Sequence, residues 1–257
     1  MPSSPAPALR PGRGVRPSAF LLTGEPGGPQ PDLLGRLCAA GRAAVIARGR
    51  ARVFRQGQPV FIQGDRHDGI YLIEQGLVRV FYTAPHGREI TLAYWTAGNF
   101  VGGPEVFGAA THIWSGTAMR ETTVLALSGD DMRDLAERWP ALALGLIDGL
   151  AFKGTCYSQL AQALGTLSVV ERLAAVLHRL VVLHGQATED GISVLMPYTH
   201  DDLASMVGAT RQWVSMTLRR FAERGVLRLA RKRLLVLQPE WLAAQASGEH
   251  LEASPKF

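Results

Sequence analysis

The sequence predicts an α+β fold: an N-terminal all-β domain, a long helix, and a C-terminal helix-turn-helix followed by a β-hairpin. Three observations carry this. Short apolar runs punctuated by glycine fill residues 50–127. A proline-free apolar stripe at helical spacing follows Pro140. Two threonine-capped helical segments flank a glycine turn between Thr199 and Arg224.

The elements follow in order. Residues 1–31 are rich in Pro, Gly and Ser, so they bury too little apolar surface to offset the entropy of ordering and read as a flexible leader. Its Arg10, Arg13 and Arg16 read as solvated. No apolar h-region marks a signal peptide, and no run approaches the ~20 apolar residues that span a bilayer, so a cytoplasmic protein is expected. Over the 257 residues, 47% apolar and 19% charged side chains describe a globular chain, and a net charge of +5 favours an acidic partner. Cys38 and Cys156 are too few and too far apart for a disulfide scaffold or a metal site.

Asp32 to Ile46 has helical spacing, with Asp32 as its cap. From Arg50 to Leu127, runs such as Val60–Ile62, Ile70–Ile73, Leu77–Tyr82, Ile90–Trp95 and Val124–Leu127 alternate with glycine turns. Strands at this spacing build a sandwich, barrel or jelly roll. Asp130, Asp131 and Met132 open a helix. A longer one, from about Ala141 to Leu164, carries Leu142, Leu146, Leu150, Tyr157, Leu160 and Leu164 on one stripe interrupted by Lys153. That stripe suits pairing with a second subunit, or packing on its own domain. A further helix spans Ser168 to about His184.

Residues 199–237 are the most informative. Thr199 caps a helix Asp201–Val207, Gly208 supplies a left-handed turn, and Thr210 caps a second helix, about Arg211–Arg224. In a helix-turn-helix the start of the second helix enters the major groove. Thr210, Arg211, Gln212, Trp213 and Ser215 stand there, and Arg and Gln are the side chains that pair bidentately with guanine and adenine. Val214, Leu218 and Phe221 face inward, and Arg219 lies on the polar side. Val226–Val236 reads as a hairpin with Arg231, Lys232 and Arg233 at its basic tip. Between Thr199 and Trp241 eight Lys/Arg stand against four Asp/Glu.

Three stretches together resemble the Crp/Fnr family of bacterial transcription regulators: Phe54–Tyr82, Asn99–Gly108 and Thr199–Leu227. The resemblance implies a β-roll (double-stranded β-helix or jelly roll) sensor domain at 32–137 and a dimerisation helix at 138–166. It implies a winged helix-turn-helix at 167–242, leaving a tail at 243–257. It also implies a homodimer on a palindromic site in double-stranded DNA, with RNA polymerase as a further partner. The dimer residues would be Leu146, Leu150, Lys153, Tyr157, Leu160 and Leu164. Thr199, Arg219, Arg231, Lys232 and Arg233 would join the recognition-helix residues on DNA. The effector pocket would draw on Val101, Gly102, Gly103, Pro104, Glu105, Trp114, Ser115, Tyr157 and Ser158.

The departures shape the effector expectation. Members that bind cyclic AMP carry a Glu for the ribose where this chain has Gly103. They carry an Arg-Ser pair for the phosphate where it has Ile113-Trp114, with His112 nearby, and no arginine lies between Arg88 and Arg120. A buried phosphate without a cation is costly, so cAMP is not expected. One N-terminal cysteine cannot hold an iron–sulfur cluster, and His67, His86, His112 and Cys156 match haem ligands by residue type alone. Met216 replaces a later arginine of the recognition helix and Gln212 a glutamate, so the DNA site should differ from that of familiar members. Two alternatives remain open at this level: a DNA binder without an effector, or a ligand-sensing module with another output. No P-loop, HExxH, GxSxG or dinucleotide fingerprint points to an enzyme.

Overall fold

In the computed structural model, which describes residues 31–108, 110–196, 198–230 and 233–247, the first helix starts later than its spacing suggests. The Asp32 carboxylate accepts the Leu34 N–H at 3.0 Å and closes a turn over residues 33–36. Asp32 therefore caps a turn, and helix α1 covers Ala39–Arg48.

Ten strands follow: β1 (Arg50–Phe54), β2 (Pro59–Phe61), β3 (Arg66–His67), β4 (Gly69–Gln75), β5 (Leu77–Thr83), β6 (Glu89–Thr96), β7 (Phe100–Val101), β8 (Ala110–Thr111), β9 (Ser115–Ala118) and β10 (Thr122–Ser128). They form two four-stranded antiparallel sheets, ordered β1-β10-β4-β7 and β2-β9-β5-β6, with β3-β8 as a separate pair. Alternation along each strand sorts the side chains. Ile73, Val78, Val80, Ala93, Trp95 and Val124 fill the interior between the sheets. Leu72, Leu125 and Leu127 point outward, under α1, α2 (Gly129–Arg138) and the start of α3 (Pro140–Thr166). Ser128 caps α2 by accepting the Asp131 N–H at 3.1 Å.

Helix α3 has 27 residues, about 40 Å of rise. Its leucine stripe turns inward: Leu142 and Leu146 are buried, with Leu150 packed beside them, against the sheet and α2. Lys153, Cys156 and Leu160 are also buried. The first half of the stripe thus packs in the chain's own core, while Tyr157 and Leu164 stay partly exposed. The face left open carries Leu144, Ile147, Ala151, Gly154, Ser158, Ala161 and Gly165. The helix is apolar nearly all round, so periodicity alone did not distinguish the two faces.

The C-terminal domain comprises α4 (Val169–His184), a hairpin β11 (Gly185–Thr188) and β12 (Gly191–Leu195), α5 (His200–Val207), α6 (Arg211–Glu223), β13 (Leu227–Ala230), β14 (Arg233–Val236) and α7 (Pro239–Ala246). The β11–β12 hairpin joins the wing as a sheet ordered β11-β12-β14-β13. Helix α7 crosses the expected boundary at 242. Trp241 on it meets Phe221 edge to face at 5.0 Å, so the domain core extends beyond the wing. Arg172, buried on α4, ties the domain to α3: its Nε donates to Val207 O (2.9 Å) and its Nη1 to Leu164 O (3.3 Å) and Leu167 O (2.6 Å).

Candidate DNA interface and effector cavity

Helix α5 starts with a capping box. Thr199 Oγ1 accepts the Asp202 N–H at 3.1 Å, while Asp202 Oδ2 accepts the Thr199 N–H at 2.8 Å. It ends at Gly208, whose φ of 63° is left-handed and reverses the chain within one residue. Thr210 Oγ1 accepts the Trp213 N–H at 3.2 Å and starts α6. Val214, Leu218 and Phe221 are buried against α5 and the wing. The opposite face of α6 exposes Arg211, Gln212, Met216, Arg219 and Arg220.

The expected DNA contacts divide on this geometry. Arg211 and Gln212 project freely, with Arg211 Nε 3.6 Å from Asp201 Oδ2 at the surface. Thr199 and Thr210 spend their hydroxyls on caps. Trp213 is half-buried in the domain core. Ser215 Oγ is held by Arg211 O (3.0 Å) and His200 Nδ1 (2.7 Å), which turns it toward α5 rather than outward. Arg233 is exposed on β14, with Nη1 3.4 Å from Ser193 Oγ; Arg231 and Lys232 lie outside the described residues. Met216, 46% exposed between Gln212 and Arg219, joins this outward face. The sequence pattern marks Met216 only as the replacement of an arginine. As a testable point, Thr199→Ala should lower stability by about 1 kcal/mol. Urea denaturation checks this.

The helix-turn-helix also rests on the β-domain. Thr91 and Ser205 hydroxyls are 2.9 Å apart, Arg88 donates to Gly208 O in the turn itself, and Tyr94 meets Tyr198 edge to face at 5.8 Å.

A cavity of about 160 Å³ opens between the β-domain and α3. Of the expected pocket residues, Val101, Gly102, Gly103, Pro104, Trp114 and Tyr157 line it. Glu105 and Ser158 are exposed and do not. Ser115 is turned away, its Oγ accepting the Gln63 N–H at 3.0 Å. The remaining wall is Val80, Trp95, Leu150, Gly154 and Lys153. Lys153 is 7% exposed. Its Nζ lies 3.7 Å from the Trp95 ring centroid and 4.5 Å from that of Phe100, and it has no hydrogen-bond partner among the described residues. Burial lowers its pKa from the ordinary lysine value to about 7. Cation–π contact offsets only about 0.5–2 kcal/mol of such desolvation. The interruption of the stripe at Lys153 was the sequence signal for this site.

Behind the Gly102–Gly103 wall, His67 and His112 are buried ring against ring, 4.5 Å between centroids. His112 Nδ1 is 2.6 Å from Gly102 O. Both ring nitrogens of His67 are without partners among the described residues, and burial followed by the neighbouring His112 lowers its pKa. A Cβ on Gly103 would fall 2.9 Å from His67 Nε2, so the histidine fills the space a longer side chain would need. Among the described residues no group of three or more metal-ligating side chains occurs, and no helix is long and apolar enough to cross a membrane.

Comparison with known proteins matches residues 51–138 to the cyclic nucleotide-binding domain and residues 171–245 to the Crp-like helix-turn-helix domain. The chain is 34% identical over 178 residues to a cyclic AMP receptor protein of Thermus thermophilus, covering 69% of this chain and 79% of that one. It is 29% identical over 194 residues to a CRP-like cAMP-activated global transcriptional regulator of Mycobacterium tuberculosis, covering 75% and 86%. The solved c-di-GMP-responsive global regulator of Xanthomonas campestris superposes with a TM-score of 0.70 at 20% identity, over 77% and 99% of the two chains. These relatives are transcription regulators rather than enzymes. With both family domains in order, a capped helix-turn-helix and a β-roll before it, the chain belongs to the Crp/Fnr family of DNA-binding transcription regulators.

Proposed function

We propose that the protein is a homodimeric, sequence-specific DNA binder in the cytoplasm, with RNA polymerase as a further partner and an effector other than a cyclic nucleotide in its β-roll. The observation that carries the DNA part is the division of α6 into a buried Val214–Leu218–Phe221 face and an exposed face of Arg211, Gln212, Met216, Arg219 and Arg220. Arg211 and Gln212 suit guanine and adenine edges, and Met216 offers an apolar contact for a thymine methyl. Arg219, Arg220, Arg228 and Arg233 suit phosphates.

Dimerisation is supported by the open face of α3. Ile147, Ala151, Gly154, Ser158, Ala161 and Gly165 recur in alternating steps of four and three, the repeat of a helix-pairing seam. A two-fold axis along α3 would present two copies of α6 to a palindromic site. Against a cyclic nucleotide stand the cavity's lack of any arginine and the His67 ring beside Gly103.

Selection of bound sequences from a random DNA pool tests this reading. A two-fold-symmetric site is expected, and Arg211→Ala should lose about 1–3 kcal/mol of discrimination at one base of each half-site. Enrichment by the wild type that Arg211→Ala leaves unchanged would move base reading elsewhere.

A further inference from the structure

We propose that the cavity between the β-roll and α3 binds a small aromatic monoanion, a single ring bearing one carboxylate, with Lys153 as its counter-ion. The size comes first. About 160 Å³ is close to the ~150 Å³ of an apolar cavity that holds benzene. The lining comes second. Trp95, Trp114 and Tyr157 present ring surfaces, and Val80, Val101, Leu150 and Pro104 add aliphatic contact. Aromatic walls suit an aromatic guest in offset or edge-to-face contact.

The charge comes third. Lys153 lines this cavity, is buried and reaches no acceptor among the described residues. A buried ammonium without an anion is unfavourable, so one that is retained invites a partner of opposite sign. No side chain nearby supplies it. Of the groups around Lys153, Cys156 on its own helix is held protonated by burial, its pKa pushed up to about 11, and burial also raises the Tyr157 phenol. Trp95 on β6, Phe100 on β7, the Gly102–Pro104 segment and Trp114 bring no charge. A second subunit paired along α3 brings no free carboxylate on that helix either. Its one acidic residue is Asp148, already bound to Arg36 at 2.6 Å. Where the amine is protonated, the described residues supply no counter-ion, and an anionic ligand can. The contact is a single point charge on a flexible stem, which neutralises one singly charged group such as a carboxylate; a phosphate's second charge would meet no further cation in the lining.

Because Lys153 releases its proton near neutrality in the empty cavity, binding the anion recharges it. Affinity should be constant below about pH 7, with no proton uptake there, and fall about tenfold per pH unit well above it, with uptake of about one proton per ligand in that range.

The regulator reading is needed only for the consequence of binding. Binding itself is measured on the free, full-length protein, so either idea can fail without the other. Benzoate and phenylacetate, with benzamide and benzyl alcohol as neutral counterparts and cAMP as comparison, would be titrated by calorimetry and thermal shift between pH 6 and 9. At least one carboxylate should bind about 10–100-fold more tightly than its neutral counterpart, with the stated pH slope and proton uptake. Lys153→Met, of similar shape, should raise the ligand-free Tm and abolish the carboxylate preference. The wild-type slope and proton count stand even if the variant folds poorly. Neutral compounds binding as well as the acids, no acid binding at any pH, or cAMP binding that ignores Lys153→Met would each overturn the proposal.

Discussion

Trp95→Ala is expected to lower stability by about 3–5 kcal/mol, the usual cost of deleting a large core aromatic. Its indole is fully buried and meets Phe152 and Tyr157 edge to face at 6.1 and 6.5 Å. It also carries the Lys153 ammonium on its face. The neighbouring cavity cannot collapse to fill the gap, because its other walls are strands and a long helix. Trp95→Phe keeps a ring there and should cost clearly less. Chemical denaturation with the slope m unchanged measures both. A loss below about 1 kcal/mol for the alanine variant would mean that the roll is not packed around this residue.

Arg172→Ala is expected to cost about 2–4 kcal/mol and to change how the protein melts. The guanidinium satisfies carbonyls at two helix C-termini: Val207 of α5, and Leu164 with Leu167 at the end of α3. A cation there also complements both helix dipoles. Each charge-assisted bond is worth about 1.5–3 kcal/mol, but bonds sharing one group do not add. Removing it leaves all three carbonyls without this donor, and it unties the C-terminal domain from α3. Calorimetry should then show two separated transitions where the wild type shows one. Arg172→Lys keeps the charge but not the fork of donors, so it should recover less than half of the loss. A single transition with wild-type midpoint would sink this account.

The helix-turn-helix was legible because its chemistry is local. Thr199, Thr210 and Gly208 mark caps and a left-handed turn, and each does its work within three residues of itself. Glycine spacing likewise revealed the strands of the β-roll. What the sequence hid was relational. Strand β11, Gly185–Thr188, has no alternating apolar pattern and becomes a strand only because β12 and β14 complete its sheet. The leucines of α3 satisfy a dimer seam and a core equally well; only the sheet and α2 show that Leu142, Leu146 and Leu150 pack inward. Ser215 carries a hydroxyl suited to DNA, and only the fold shows His200 holding it. In the cavity, cassette glycines were readable from the family pattern. Val80, Trp95 and Lys153 come from elements whose meeting no short-range signal announces.

Strand β6 has two clients. Consecutive side chains on a strand leave by opposite faces. Trp95 therefore enters the roll and walls the cavity, while Tyr94, next to it, is buried in the core of the DNA-binding domain beside Tyr198. Thr91 on the same strand touches Ser205. The two compartments are thus one peptide unit apart, about 3.8 Å between Cα atoms. Energetic books kept separately for them cannot balance: the effects of altering Tyr94 and Trp95 together should differ from the sum of the single changes by about 0.5–3 kcal/mol. The β-roll and the DNA-binding domain thus share β6, with Arg88 and Leu77 adding contacts beside it, so a tilt of that strand imposed from one side would act on the other without an intervening relay.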